Sequence, residues 1–400
     1  MKLKLGLLPR ILIAIVLGIV CGLFFPESLT RVFVTFNALF GNFLGFVIPL
    51  IIVALITPAI SELGRGAGKW LAITAAIAYG STLFAGLLAL LVGMTVFPAI
   101  LSPASAPGSL DNPEDALLSP YFAVEMEPLF GVMTALVLSF IVGVGLTLIH
   151  TDTLRNGFVE MRTIVERVIT SIIIPLLPLY IFGIFLNMTA AGQVWGIITT
   201  FLSVILIVFG LTVVVILIQY GVAGALAGRN PLRSLVTMLP AYATALGTSS
   251  SAATIPVTLR QAIKMGVTPA VASFVIPLCA TIHLAGSTVK ITAFSLAIMV
   301  LTGIPIDLFT MVGFVFMLGI TMVAAPGVPG GAILTAAGLL SSMLGFSEAQ
   351  VGLMIATYIA IDSFGTATNV TGDGAIAMII DKLSKGTINE TPTSLANTTV

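Results

Sequence analysis

Asp362-Ser363-Phe364-Gly365-Thr366-Ala367-Thr368-Asn369-Val370-Thr371-Gly372-Asp373 lies inside a long apolar run, 351–380, where charge is not expected. On a helix turning about 100° per residue, Asn369 and Asp373 fall within about 20° of the line through Asp362. Two acids and an amide therefore share one narrow stripe of an otherwise small or greasy helix. An ionisable side chain at membrane depth costs at least ~2.5–3.5 kcal/mol and usually lines a substrate or ion path. The plainer alternative is that both aspartates satisfy backbone groups of neighbouring helices, a costly use of two acids on one stripe.

The surrounding chain agrees with a membrane setting. Hydrophobic residues make up 58% and charged residues 8%, against roughly 25% charged in soluble proteins, and the mean hydropathy is +1.18. The formal net charge is zero, so nothing recommends a nucleic-acid partner. Cys21 and Cys279 are too few for a disulfide framework. Lys2, Lys4 and Arg10 precede apolar sequence to Phe25 without a small-x-small cleavage site, so a retained first transmembrane helix is expected rather than a signal peptide.

Apolar runs long enough to span, ~17–25 residues, fall at 7–25, 35–60, 70–98, 128–149, 163–188, 194–226, 266–302 and 349–380. Two further runs, 231–260 and 306–346, are interrupted by Gly247-Thr248-Ser249-Ser250-Ser251 and Pro326-Gly327-Val328-Pro329-Gly330-Gly331. Non-helical backbone at membrane depth survives only where protein or a water-filled cavity satisfies its amides. Each interrupted run is therefore read as a re-entrant hairpin. The expected fold is an all-α polytopic membrane protein of eight transmembrane helices plus two re-entrant helical hairpins. Placing both termini in the cytoplasm puts every basic residue except Arg31 and Lys290 on the inside, as the positive-inside rule requires. The loop 101–127 carries five acids and no Lys or Arg, which suits the outside. Lys290, in the middle of a span, must pair, snorkel or be neutral, with Asp362 and Asp373 as the obvious partners.

Paired interrupted segments point to a transporter site built from an inverted repeat. Ser249, Ser250, Ser251 and Thr254, with helix N-terminal amides, would cradle a carboxylate; Ser and Thr there would equally serve as helix caps. The second tip offers backbone suited to a small cation or an anionic group. His283 reads either as a satisfied packing residue or as a proton relay.

Ser249-Ser250-Ser251-Ala252-Ala253-Thr254-Ile255-Pro256-Val257-Thr258 resembles the serine-rich hairpin of the dicarboxylate/amino acid:cation symporters, the glutamate-transporter family. Gly327-Val328-Pro329-Gly330-Gly331-Ala332 resembles that family's second tip, and the Asp362–Asp373 stretch its last helix. The resemblance implies a homotrimer in the plasma membrane, a bacterial or archaeal inner membrane, surrounded by lipid and working by an elevator-like motion. It divides the chain into scaffold helices in 1–62, a transport-domain helix in 70–98, scaffold-type helices in 128–226 whose last member joins the transport domain, and a transport core in 231–383; the polar composition of 384–400 reads as a disordered tail. Asp362 would bind the substrate's amino group. Asn369 with Ser250 and Ser251 would hold its α-carboxylate, and Ser287, Val328, Pro329, Gly330, Gly365 and Thr366 would line the pocket. Asp373 would ligate sodium together with carbonyls near Ala280, His283 and Asn369. Carbonyls near Ile282 and at Ala324, Ala325 and Gly327 would form a second sodium site. No cofactor is implied.

The departures carry the substrate expectation. Members taking acidic substrates hold the side-chain carboxylate with an arginine at positions that here read Gly365 and Ser249. Arginine grips carboxylates through its fixed fork of donors, and Gly365 leaves space. A neutral amino acid, even a bulky one, is expected. The family's Asn-Met-Asp-Gly-Thr motif reads His283-Leu284-Ala285-Gly286-Ser287, so one cation-binding acid is missing. Lys290 or His283 could compensate the charge or couple protons. Sodium-driven symport is the first expectation; proton coupling or a glutamate, aspartate or dicarboxylate substrate is the alternative. An intramembrane serine hydrolase using Ser249, Ser250 or Ser251 with His283 or Lys290 as base is the remote one, because the broken hairpins and aligned acids have no role in it.

Overall fold

A computed structural model describes residues 7–65, 69–101, 117–149, 151–192, 194–325, 330–384 and 388. The second tip's Gly327, Val328 and Pro329 lie outside these residues, as does the expected tail apart from Ser384 and Ile388. Among the described residues the chain is helical, with no β-strand.

The elements are α1 (Leu7–Gly22), α2 (Glu27–Arg65), α3 (Lys69–Ile100), α4 (Val132–Leu148) and α5 (Thr153–Val168). One π-helical turn, Ile169–Ile173, joins α5 to α6 (Ile174–Ala190), and α7 (Val194–Ala227) follows. The second half comprises α8 (Pro231–Thr248), α9 (Ser251–Lys264), α10 (Pro269–Ile282), α11 (Ala285–Thr302), α12 (Leu308–Val323), α13 (Gly331–Leu344), α14 (Glu348–Ala360) and α15 (Asp362–Ser384). Five helices or joined helices among the described residues are long and apolar enough to cross a membrane, and α14 with α15, bent by 63°, makes a sixth. At 16 and 17 residues, α1 and α4 are shorter apolar helices. With 39 residues, α2 far exceeds what a ~30 Å hydrocarbon core needs, so it must tilt or protrude.

Local chemistry sets the boundaries. Asn230 caps α8 by accepting the Arg233 N–H at 3.0 Å, and Pro231 fills the first turn, where no N–H is needed. Ser347 and Gln350 form a reciprocal capping box at α14. Arg31 lies on α2, donates to the Ser119 carbonyl at 3.1 Å and sits 4.6 Å from the Tyr121 ring centre, so it pins the loop that runs back over α2.

The packing has two neighbourhoods. In one, α2 packs on α4, α5 and α6, and α1 on α6. In the other, α15 packs against α7, α8, α9, α10 and α11, while α3 lies along α11 and α12. The centre belongs to α11 and α15: every residue of 285–299 is buried, as is nearly all of α15. The two helices approach closely because Gly286 faces the Gly365 carbonyl, where a Cβ would stand 2.6 Å from that oxygen.

The interrupted run 231–260 is a pair of helices, α8 and α9, packed on each other across Ser249 and Ser250. Likewise α12 packs on α13 across the second interruption. The structure adds two breaks that the sequence does not announce. The run 266–302 divides at His283 and Leu284, both off helical geometry, and the run 349–380 at Ile361. Neither break holds a glycine or a proline.

Candidate functional site

The break at His283–Leu284 leaves the last carbonyls of α10 and the first N–H groups of α11 without helical partners. Asn369, two turns into α15, meets those N–H groups. Its Oδ1 accepts the Gly286 N–H at 2.8 Å, and its Nδ2 donates to Ser287 Oγ at 3.2 Å. Tyr358 on α14 donates its hydroxyl to the same Ser287 Oγ at 2.9 Å. A buried polar network thus fixes α11, α14 and α15 to one another, each member satisfied by the next.

The two acids of the α15 stripe each meet a basic side chain from the α10–α11 segment. Lys290 Nζ donates to Asp362 Oδ1 at 3.0 Å. His283 Nδ1 lies 2.9 Å from Asp373 Oδ1. Asp362 Oδ2 accepts the Gly330 N–H at 2.9 Å, so the end of the second hairpin closes directly on the carboxylate. With Asp373 ionised, the proton of a neutral His283 belongs on Nδ1. His283 Nε2 then accepts from Ser81 Oγ at 3.1 Å, while Gln219 Nε2 donates to Ser81 Oγ at 2.9 Å. Tyr220 donates to the Thr371 carbonyl at 2.9 Å and holds α7 to the same part of α15.

At the first tip, Ser249 is left-handed (φ 49°), the only non-glycine residue with positive φ among those described. That geometry turns its Oγ onto Ser363 Oγ at 3.2 Å. Ser250 caps α9, its Oγ accepting the Ala253 N–H.

A cavity of about 30 Å³ brings together Ser251, Ser287, Asp362, Thr366 and Asn369 with Ala280, Ala325, Ser249, Leu284 and Tyr358. That is room for about one water. Ser250, Gly365, Ile282, His283 and Ala324 do not line it, although Gly330 reaches Asp362 through its N–H. The space expected over Gly365 is filled: a Cβ there would stand 2.5 Å from Lys290 Nζ. The pocket as it stands therefore offers no extra room for a bulky side chain.

Ser81, His283 and Asp373 have the connectivity of an acyl-transfer triad, but Gln219 engages the Ser81 oxygen and the cavity beside Asp362 is not lined by Ser81. Lys290 is turned onto Asp362 and His283 onto Ser81.

The sequence profile of the sodium:dicarboxylate symporter family matches residues 7–383. The chain belongs to that family. Its curated relatives include the serine/threonine transporter SstT of Acinetobacter baumannii (strain AYE), 30% identical over 397 residues that cover 96% of this chain and 98% of that protein. The serine/threonine transporter SstT of Streptococcus thermophilus (strain ATCC BAA-250 / LMG 18311) is 28% identical over 397 residues, 94% of this chain and 96% of that protein.

In this member of the symporter family, three site residues escape sequence reasoning: Tyr358 beneath Lys290, and Ser81 and Gln219 around His283. Each lies on a different helix from its partner, in a run with no motif. Ser81 and Gln219 are polar interruptions of apolar helices, a signal that marks them as unusual and names no partner.

Proposed function

We propose that the chain is a secondary active symporter that imports a small neutral amino acid on a sodium gradient, with serine and threonine the first candidates. The observation that carries this reading is the retained Asp362 in a pocket without arginine. An acid there suits a substrate ammonium, and Gly365 and Ser249 leave no guanidinium for a second carboxylate. The serine/threonine relatives point the same way, and Lys290, lying over Gly365, leaves no added space at that position for a long side chain.

The finer architecture belongs to the same proposal: eight spans and two re-entrant hairpins, with α3, α7 and α8–α15 moving as a transport domain against α1, α2 and α4–α6. The two packing neighbourhoods support that division. Apolar side chains exposed along α1, α4 and α7, such as Val16, Ile141 and Leu206, support burial in lipid or against partner subunits of a homotrimer in a cell's inner membrane with both termini inside. Within the site, Asp362 takes the ammonium, Asn369 with the Ser250–Ser251 tip holds the carboxylate, Thr366 lines the pocket, and sodium is cargo. Asp373 would ligate one sodium ion with carbonyls near Ala280, His283 and Asn369, and carbonyls near Ile282 and at Ala324, Ala325 and Gly327 would hold a second.

One observation favours a second reading. The contact between His283 and Asp373 gives that acid a titratable partner, so a proton-coupled cycle is the alternative. A thermal-shift screen of purified protein against neutral and acidic amino acids, with and without sodium, tests the reading. Serine or threonine should stabilise in a sodium-dependent way; stabilisation only by aspartate or by dicarboxylates would overturn it.

A further inference from the structure

On the reading above, Asp362 receives the ammonium of an amino acid, yet it already holds one. Lys290 Nζ sits 3.0 Å from Oδ1, and the side chain has no accessible surface. Its berth exists because Gly365 has no side chain. A primary ammonium on a flexible stem and the α-ammonium of an amino acid offer the same recognition chemistry. They compete here for one carboxylate, which lines a cavity of about 30 Å³, room for about one water and too small for an amino acid.

Beside the carboxylate, Nζ has a second partner. The Tyr358 ring centre lies 3.7 Å from Nζ, and an aromatic face attracts an ammonium, more strongly when water is excluded. Nζ touches the ring while it holds Asp362, so the ring stays a partner that offsets part of the cost when the ammonium shifts off the carboxylate. The Gly330 N–H on Oδ2 joins the state of this carboxylate to the position of the second hairpin.

We propose that Lys290 is a tethered ammonium that trades places with the substrate's ammonium at Asp362, keeping the site charge-balanced and the second hairpin closed when no amino acid fills it. This rests on the Asp362 reading and adds the step by which an unloaded carrier returns. A carboxylate left unpaired would be expensive to carry through the membrane interior; the lysine removes that barrier to return.

The test compares two fluxes of labelled serine in proteoliposomes: net uptake on a sodium gradient, and exchange into vesicles preloaded with unlabelled serine. In Lys290→Gln and Lys290→Met the ratio of net uptake to exchange should fall by about tenfold or more, and methylammonium on both sides should restore it. A wild-type ratio in these variants would overturn the inference. So would equal loss of both fluxes that methylammonium leaves unrepaired, since that is the behaviour of a purely structural counter-ion. Lys290→Arg covers the case in which the neutral variants do not fold. Its charge is kept and its fork grips Asp362 harder, so serine affinity should drop by about tenfold; unchanged affinity would overturn the competition. Asp362→Asn separates the two layers. If it binds serine as wild type does, the ammonium reading itself fails. If it loses serine while Lys290→Gln behaves as wild type, only this inference fails.

Discussion

Gly365 is the floor on which the Lys290 side chain lies: the missing Cβ on α15 is the space that lets an ammonium from α11 reach Asp362. The two positions are therefore one unit, and a change at either is felt at the other.

Gly365→Ala should drive Lys290 off its carboxylate. Breaking a buried ion pair costs about 3–5 kcal/mol, so thermal denaturation in detergent should show a large loss of stability. In a Lys290→Ala background the same change should add little, because the clash is gone. Additive effects in that double-mutant cycle would mean that the lysine does not lie over Gly365.

An acidic-substrate pocket should need two changes. Gly365→Arg alone places a guanidinium where Lys290 already lies and should destabilise the protein. Combined with Lys290→Ser, the arginine gains room, and competition assays should show aspartate or glutamate displacing labelled serine. Failure of the double variant to bind acidic amino acids would undo the account of selectivity.

Gly330 has φ 75° and donates its N–H to Asp362, and a Cβ there would meet Ile359 at 3.2 Å. Gly330→Ala adds left-handed strain of about 1–2 kcal/mol to the closed tip. Because the tip is closed on Asp362 in this structure, the thermal midpoint should fall; an unchanged midpoint would detach Gly330 from the closed tip.

Asp307 begins α12 outside the buried core, and the Thr310 N–H on its carboxylate holds its pKa below the ordinary 3.8. A depressed folded value stabilises above the unfolded pKa and is lost as pH falls through the folded one. Asp307→Ala should lower the thermal midpoint near neutral pH, and the difference should shrink below about pH 3–4. A pH-independent difference would mean that the charged cap is not the cause.

Much of this site was legible because membrane chemistry makes exceptions conspicuous. Asp362, Asp373, Lys290 and His283 stand out in apolar runs, and Lys290 does find one of the two partners it was expected to need. The helix breaks were hidden for a physical reason. His283-Leu284 and Ile361 carry no glycine or proline, and at the first of these breaks Asn369, distant in sequence, takes up the N–H that the helix end leaves free. The filled space over Gly365 was hidden too, since a missing side chain does not say which neighbour will move in. Ser81, Gln219 and Tyr358 join the site through contacts far apart in sequence, which periodicity cannot reveal.

The central claim is sodium-driven import of a neutral amino acid, and uptake of labelled serine by proteoliposomes tests it most directly. An inward sodium gradient should concentrate serine, with threonine competing and aspartate not, and a proton gradient alone should do nothing. Accumulation that ignores sodium and follows the proton gradient would contradict the account.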